Sequence, residues 1–186
     1  MIVWINGAVG VGKSHVAQKL AELLAEKGAE YIESDLYWIN FLRKHFIVAP
    51  SFGVDPYCNI FFLIILRKAI EERIYGFGKM PIVSMSLVTK LCKKELLDYF
   101  KGKNIPMLHI ILEAAEETII SRIENDPGRD KSAKGQQIPK ISRQIEYLET
   151  EYPDAVRINT ENKSLDKIVA EILALQQANI CTVCPP

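Results

Sequence analysis

Ile2-Val-Trp-Ile5 opens the chain as an unbroken apolar run ending at Asn6-Gly7, the pattern of a short parallel strand covered on both faces. The period then changes. From about residue 12 to 27, Val16, Ala17, Leu20, Leu23 and Leu24 recur at helical spacing. Gly28 supplies a stop, and Lys27 stands in the last turn where a cation suits the helix dipole. This strand-then-helix alternation repeats to the end of the chain. Strands are predicted over 30–33, 81–85, 107–112 and 155–158. Helices are predicted over 36–44, 89–101, 116–124, 139–151 and 165–178, the last capped by Ser164. Another helix is predicted to open at Asp55-Pro56, an N-cap followed by proline at the first helical position, and to run to about Tyr75. Ala49-Pro-Ser-Phe-Gly53 interrupts the pattern before it, and Gly76-Phe-Gly78 closes it. Residues 126–135, Asp-Pro-Gly-Arg-Asp-Lys-Ser-Ala-Lys-Gly, are polar and basic and read as a mobile loop.

Strands alternating with helices predict a parallel sheet covered on both sides, an α/β fold of three layers. With 186 residues and no repeat, low-complexity tract or linker, one domain over 1–178 is expected, followed by a flexible tail over 179–186. The longest apolar run, 60–66, is far shorter than the roughly 20 residues of a bilayer-spanning helix, so it belongs in a core. Basic and acidic residues balance at 23 each, which leaves no global field to favour nucleic acid or an anionic membrane. Any anion must be held by local groups. The start of the chain has neither a basic run nor a small-residue cleavage site, so no secretory leader is expected. Cys181 and Cys184 form a CxxC with no second pair to complete a zinc site, and with Cys58 and Cys92 they fit a reducing, cytoplasmic setting.

Gly7-Ala-Val-Gly-Val-Gly-Lys-Ser14 fills every fixed position of GxxxxGK[ST], after a strand and at the start of a helix. Glycines let the backbone curl so that successive N–H groups converge on phosphate oxygens, and the helix N-terminus adds its positive end. Gly7, Ala8, Val9, Gly10, Val11, Gly12, Lys13 and Ser14 therefore form a candidate ATP-phosphate cradle. Lys13 reaches the β- and γ-phosphates, and the Ser14 hydroxyl is the candidate Mg²⁺ ligand. His15 follows on the same helix, within reach of phosphate or simply exposed.

Phosphoryl transfer also needs an acid near the attacking hydroxyl and cations around the moving group. Asp35 stands at the carboxyl end of the second strand, where ligands bind in open α/β sheets. It is a candidate base, or else a helix N-cap. Glu33 is a weaker second. The third strand carries no acid, only Ser84 and Ser86. Glu113 ends an apolar strand and would orient water in a hydrolytic ATPase, or is an exposed strand-end residue. Arg122, Arg129, Lys131, Lys134 and Arg143 gather around the predicted loop, and Arg122 and Arg129 are the preferred cations to close over ATP.

Met1-Ile-Val-Trp-Ile-Asn-Gly-Ala-Val-Gly-Val-Gly-Lys-Ser14 resembles the opening of the tunicamycin-resistance ATP-binding protein family. The likeness continues as pattern through the strand ending at Asp35, residues 81–88 and Ala155-Val-Arg-Ile-Asn-Thr160. That family is similar to the P-loop kinases that include shikimate, gluconate and nucleotide kinases and chloramphenicol phosphotransferase. The resemblance implies a five-stranded parallel sheet in the order 2-3-1-4-5, with a lid between the fourth strand's helix and the next. It implies Arg122 and Arg129 in the lid, Asp35 on the substrate side, and Asn159 and Thr160 beside adenine. Two features depart from it: Asp126-Pro-Gly replaces a denser arginine pattern in the lid, and the third strand lacks an acid. The functions to distinguish are transfer of the ATP γ-phosphoryl group to a small-molecule hydroxyl (nucleoside-like or antibiotic), nucleotide-dependent sequestration, and hydrolysis.

Overall fold

The computed structural model describes residues 1–44 and 56–183, with side chains through Gln177. The interruption expected at Ala49–Gly53, the cap expected at Asp55, and Cys184 lie outside the described residues.

Five strands, β1 (Ile2–Gly7), β2 (Ala29–Glu33), β3 (Met80–Ser84), β4 (Met107–Glu113) and β5 (Val156–Asn159), form one parallel sheet in the order β2-β3-β1-β4-β5. Its register places Val3 beside Ile82 on one side and Leu108 on the other. Side chains alternate across a strand, and the opening run divides accordingly. Val3 and Ile5 pack with Leu20, Ile110 and Ile172 on one face, while Ile2 and Trp4 pack with Phe62, Leu66 and Phe100 on the other. Each fully buried side chain of this size contributes about 1.5–3 kcal/mol. Two such cores hold β1, and the loop that follows it, rigidly at the centre.

The helices on these faces are α1 (Lys13–Leu23), α2 (Ser34–Lys44), α3 (Ile60–Glu71), α4 (Lys90–Cys92), α5 (Tyr99–Gly102), α6 (Glu116–Glu124), α7 (Lys131–Gln137), α8 (Ile141–Glu151) and α9 (Leu165–Val183). Several differ from the sequence pattern for identifiable reasons. Pro56–Cys58 is a 3-10 turn, and α3 starts later because the Asn59 side chain accepts from the Phe62 N–H at 3.1 Å. The helix predicted over 89–101 is capped by Thr89 and relaxes through a π turn at Lys93–Asp98 between α4 and α5. Part of the segment read as a loop is α7, since Asp130 caps it by accepting from the Ala133 N–H at 2.7 Å. The last helix carries on to Val183, past the end of its apolar pattern. Among the described residues, no helix is long and apolar enough to cross a membrane.

Candidate active site

The carboxyl ends of the strands converge on the loop between β1 and α1. Gly7 has φ 144°, and a Cβ there would come within 2.7 Å of the Leu112 carbonyl oxygen. Gly12, at φ 105°, is the N-cap of α1 in left-handed geometry. No side chain caps that end, and no acid lies in its first turn. The first-turn N–H groups of a helix have no carbonyl behind them within it. They are left with their positive end toward solvent, an arrangement that fits a phosphate chain.

The loop is fastened from outside. Ser86 Oγ donates to the Gly7 carbonyl at 2.8 Å, and the Val9 N–H donates to Oε1 of buried Gln144 on α8 at 2.8 Å. Arg122 Nη1 donates to the Val11 carbonyl at 3.3 Å. Beneath the loop, Asn6 Oδ1 accepts from the N–H groups of Gly7 and Leu87 at 2.8 and 2.9 Å. Sequence reasoning missed Asn6 and Gln144. Their partners depend on tertiary contact, which no local spacing announces.

Lys13 Nζ donates to the Ala8 carbonyl at 2.8 Å. Desolvation lowers its pKa to about 8; Asp35 opposes that shift and Arg129 adds to it. An anion in the loop would meet a lysine already positioned.

A cleft of about 520 Å³ opens over the loop, within the usual range for small-ligand pockets. Its lining includes Val9–Val16, with Ser14 and exposed His15, while Gly7 is not among its lining residues and Ala8 lines a smaller cavity instead. On the β2–β3 side stand Ser34, Asp35, Tyr57, Ser84, Met85 and Ser86. On the β4–β5 side stand Arg122, Asp126, Arg129, Gln137, Thr160 and Lys163. Asp35 lies inside the first turn of α2, not at its N-cap, because the helix begins at Ser34. Ser34 Oγ donates to the Ser84 carbonyl at 2.9 Å and so ties α2 to β3. Tyr31, another residue the sequence did not flag, hydrogen-bonds Ser84 through its hydroxyl at 3.0 Å and also reaches Ser14. Burial raises its pKa.

Arg122 spans the site. Besides Val11, it donates through Nη1 to Thr160 Oγ1 at 3.0 Å and through Nη2 to the Thr160 carbonyl at 3.2 Å. Arg129 pairs with Asp126 at 2.8 Å and also donates to Gln137. That hydrogen bond to Arg129 holds the Asp126 carboxyl below its usual range. Lys131, Lys134 and Arg143 do not line the cleft; Lys134 Nζ instead donates to the Glu124 carbonyl at 2.7 Å.

Three other sequence candidates lie elsewhere. Glu33 is not among the cleft-lining residues. Asn159 faces a smaller cavity of about 210 Å³, and its Oδ1 accepts from the Glu161 N–H at 2.7 Å, so of the pair read as adenine contacts only Thr160 reaches the cleft. Glu113 shares that smaller cavity and is ion-paired to Arg157. Arg157 Nη2 is anchored on the carbonyls of Leu148 and Tyr152 at 3.0 and 3.2 Å. That carboxylate is engaged by Arg157 and does not line the cleft over the phosphate loop.

No family model matches the chain. Over 97% of its length it is 27% identical to a protein of Pyrococcus furiosus assigned as an adenylate kinase, of which it spans 86%. The structure of the Deinococcus radiodurans tunicamycin resistance protein superposes with a TM-score of 0.72 at 21% identity, covering 94% of each chain. A gluconokinase from Sinorhizobium meliloti superposes with a TM-score of 0.63 at 22% identity, covering 92% of this chain and 89% of that one. The fold is therefore that of the P-loop kinases, with the 2-3-1-4-5 sheet that the family resemblance implied.

Proposed function

We propose that this chain is an ATP-dependent phosphotransferase that moves the γ-phosphoryl group to a hydroxyl of a small molecule. The observation that carries this reading is the shared cleft. The phosphate loop with Lys13, the Asp35 carboxylate, and Arg122 and Arg129 all line one cavity. The loop N–H groups and Lys13 would hold the triphosphate, and Thr160 and Lys163 would border the nucleoside. Ser14 would ligate Mg²⁺, which when bound would offset charge on the phosphates.

In the transfer, the acceptor oxygen forms a bond to the γ-phosphorus as the bond to the β–γ bridging oxygen breaks, and ADP leaves with that electron pair. Asp35 would take the acceptor's proton. Arg122 and Arg129 would stabilise charge that develops on the transferred group.

The hydrolytic alternative gets no support from Glu113, whose carboxylate is paired to Arg157 on a separate cavity. Sequestration without chemistry is distinguished by product analysis. Protein, Mg-ATP and a panel of nucleosides, sugars and antibiotics are incubated and analysed by mass spectrometry. A compound gaining one phosphoryl group in step with ADP formation supports transfer. A compound that binds but returns unchanged supports sequestration and ends the transferase reading.

A further inference from the structure

Tyr31 belongs to β2 and packs against the core that includes Val16, Ala17 and Leu20 of α1 and Ile82 of β3. Side chains alternate across a strand, so Ile82 and Ser84 share the face of β3 that α1 covers. The register sets Tyr31 beside Ile82, and its hydroxyl runs on to Ser84 Oγ at 3.0 Å. The same hydroxyl hydrogen-bonds the Ser14 side chain, in the first turn of α1. Ser14 and Ser84 line the cleft, and Tyr31 is not among the lining residues. It joins the two from behind the wall.

Ser84 is a fixed end to this chain of hydroxyls. It is buried, lies opposite Ile5 in the sheet, and its carbonyl accepts from Ser34 Oγ at 2.9 Å. A hydroxyl both donates and accepts, so the chain can be polarised in either direction. If Ser84 donates to Tyr31 and Tyr31 to Ser14, a lone pair of Ser14 is taken up. In the opposite direction Ser14 donates to Tyr31 and Tyr31 to Ser84. The Ser14 lone pairs then stay free, and its hydrogen points out of the cleft. A hard cation binds oxygen lone pairs and repels the hydrogen, so the second direction is the one that suits a metal ligand. An acid on the third strand would take that hydrogen directly, but residues 80–88 contain none.

Resting on the phosphotransferase reading, we propose that Tyr31 is a positioning residue for the metal site: it accepts the Ser14 hydrogen, gives its own to Ser84 and so presents the Ser14 lone pairs to Mg²⁺. A neutral relay thereby does what a third-strand carboxylate would do. The phosphates are held by the loop N–H groups and Lys13, so the contribution of Tyr31 is felt only when the metal accompanies the nucleotide.

Calorimetry of ATP in EDTA and in saturating Mg²⁺ tests this in the parent, Tyr31→Phe, Ser14→Ala and the double variant. The ratio of the two affinities reports how well the bound nucleotide holds its metal. Tyr31→Phe keeps the ring and should bind metal-free ATP within about twofold of the parent. Its ratio should fall about three- to tenfold, the range of one neutral hydrogen bond. Ser14→Ala should lower the ratio too, and adding Tyr31→Phe should take nothing further, because no hydroxyl remains to be oriented. An unchanged ratio in either single variant, an equal loss with and without metal, or a full further loss in the double variant would overturn the inference. Should Tyr31→Phe not fold, Ser84→Ala asks the same question. Deprived of its acceptor, Tyr31 turns its hydrogen to Ser14, and the ratio should again fall; an unchanged ratio there would overturn the inference as well. A parent that binds ATP neither with nor without metal ends the phosphotransferase reading, and this inference with it.

Discussion

Asn6 Nδ2 lies 3.1 Å from His109 Nε2. The amide's orientation is fixed because its Oδ1 already accepts from two backbone N–H groups, those of Gly7 and Leu87. Nδ2 must therefore donate, and His109 must present a lone pair at Nε2, which makes it neutral. Tyr152 stacks edge-on against the imidazole, with ring centroids 5.0 Å apart, and donates to the Leu87 carbonyl at 2.9 Å. The phosphate loop thus rests on a buried network that requires an uncharged histidine.

Desolvation lowers the His109 pKa to about 4, with Lys101 and Arg157 contributing. An unfolded histidine titrates near 6.5. Between these values the unfolded state binds more protons, so the stability His109 contributes is present above about pH 6.5 and falls as pH drops toward 4. Urea midpoints of parent and His109→Gln at pH 7 and 4.5 should show a steeper acid loss in the parent. Equal losses would mean the network does not depend on a neutral ring.

Lys13 carries the opposite coupling to ligand. In the free protein its pKa is about 8, below the ordinary 10.4 or so. From about pH 8 to 10.4 the unfolded state holds the proton more tightly, so the free protein gains stability from this group as pH rises through that window. A triphosphate favours the ammonium form, so binding above pH 8 should take up close to one proton and weaken with rising pH. Calorimetry at pH 9 in buffers of different ionisation enthalpy measures that uptake. Lys13→Met should abolish it.

Gln144→Leu removes the acceptor of the Val9 N–H and leaves that donor unpaired, at a cost of about 1–3 kcal/mol. Denaturation should show that loss, and Mg-ATP affinity should fall with it because Val9 lies in the phosphate loop. A variant as stable as the parent, with unchanged affinity, would show that the loop holds its shape without α8.

What the sequence carried was local. Gly7–Ser14 encodes its turn through backbone freedom, and the apolar periods give all five strands and the α/β alternation. Strand order followed from the family resemblance and not from any spacing. Gln144 contacts Val9 from 135 residues away, and nothing in the pattern around it marks it as more than a helix residue. Asn159 and Thr160 are adjacent in sequence, yet the turn after β5 sends only Thr160 into the cleft. The helix expected from Pro56 starts at Ile60, because Pro56–Cys58 forms a 3-10 turn and the Asn59 side chain caps α3, a cap the proline signal obscured. Glu113 looked like a candidate because its strand ends in the right place. Its pairing with Arg157 on β5 was invisible in one dimension.

Asp35 and Glu113 can be separated directly once an acceptor is found. Asp35→Asn keeps size and removes charge, and should lower transfer by roughly 10²–10⁴-fold, the range of general acid–base catalysis. Glu113→Gln should leave transfer within about twofold, since its partner Arg157 lies outside the cleft and the pair is partly exposed. Turnover of both variants with one acceptor, beside their melting temperatures, makes the comparison. Activity lost in Glu113→Gln and kept in Asp35→Asn would move the chemistry to the other cavity.

Binding of Mg-ATP at the phosphate loop underlies every other assignment, and Lys13→Ala tests it most directly. A charge-assisted hydrogen bond contributes about 1.5–3 kcal/mol, so calorimetry should show affinity reduced roughly 10- to 150-fold in a variant that still unfolds cooperatively. Affinity equal to the parent's in that folded variant would contradict the assignment of Gly7–Ser14 as the ATP site.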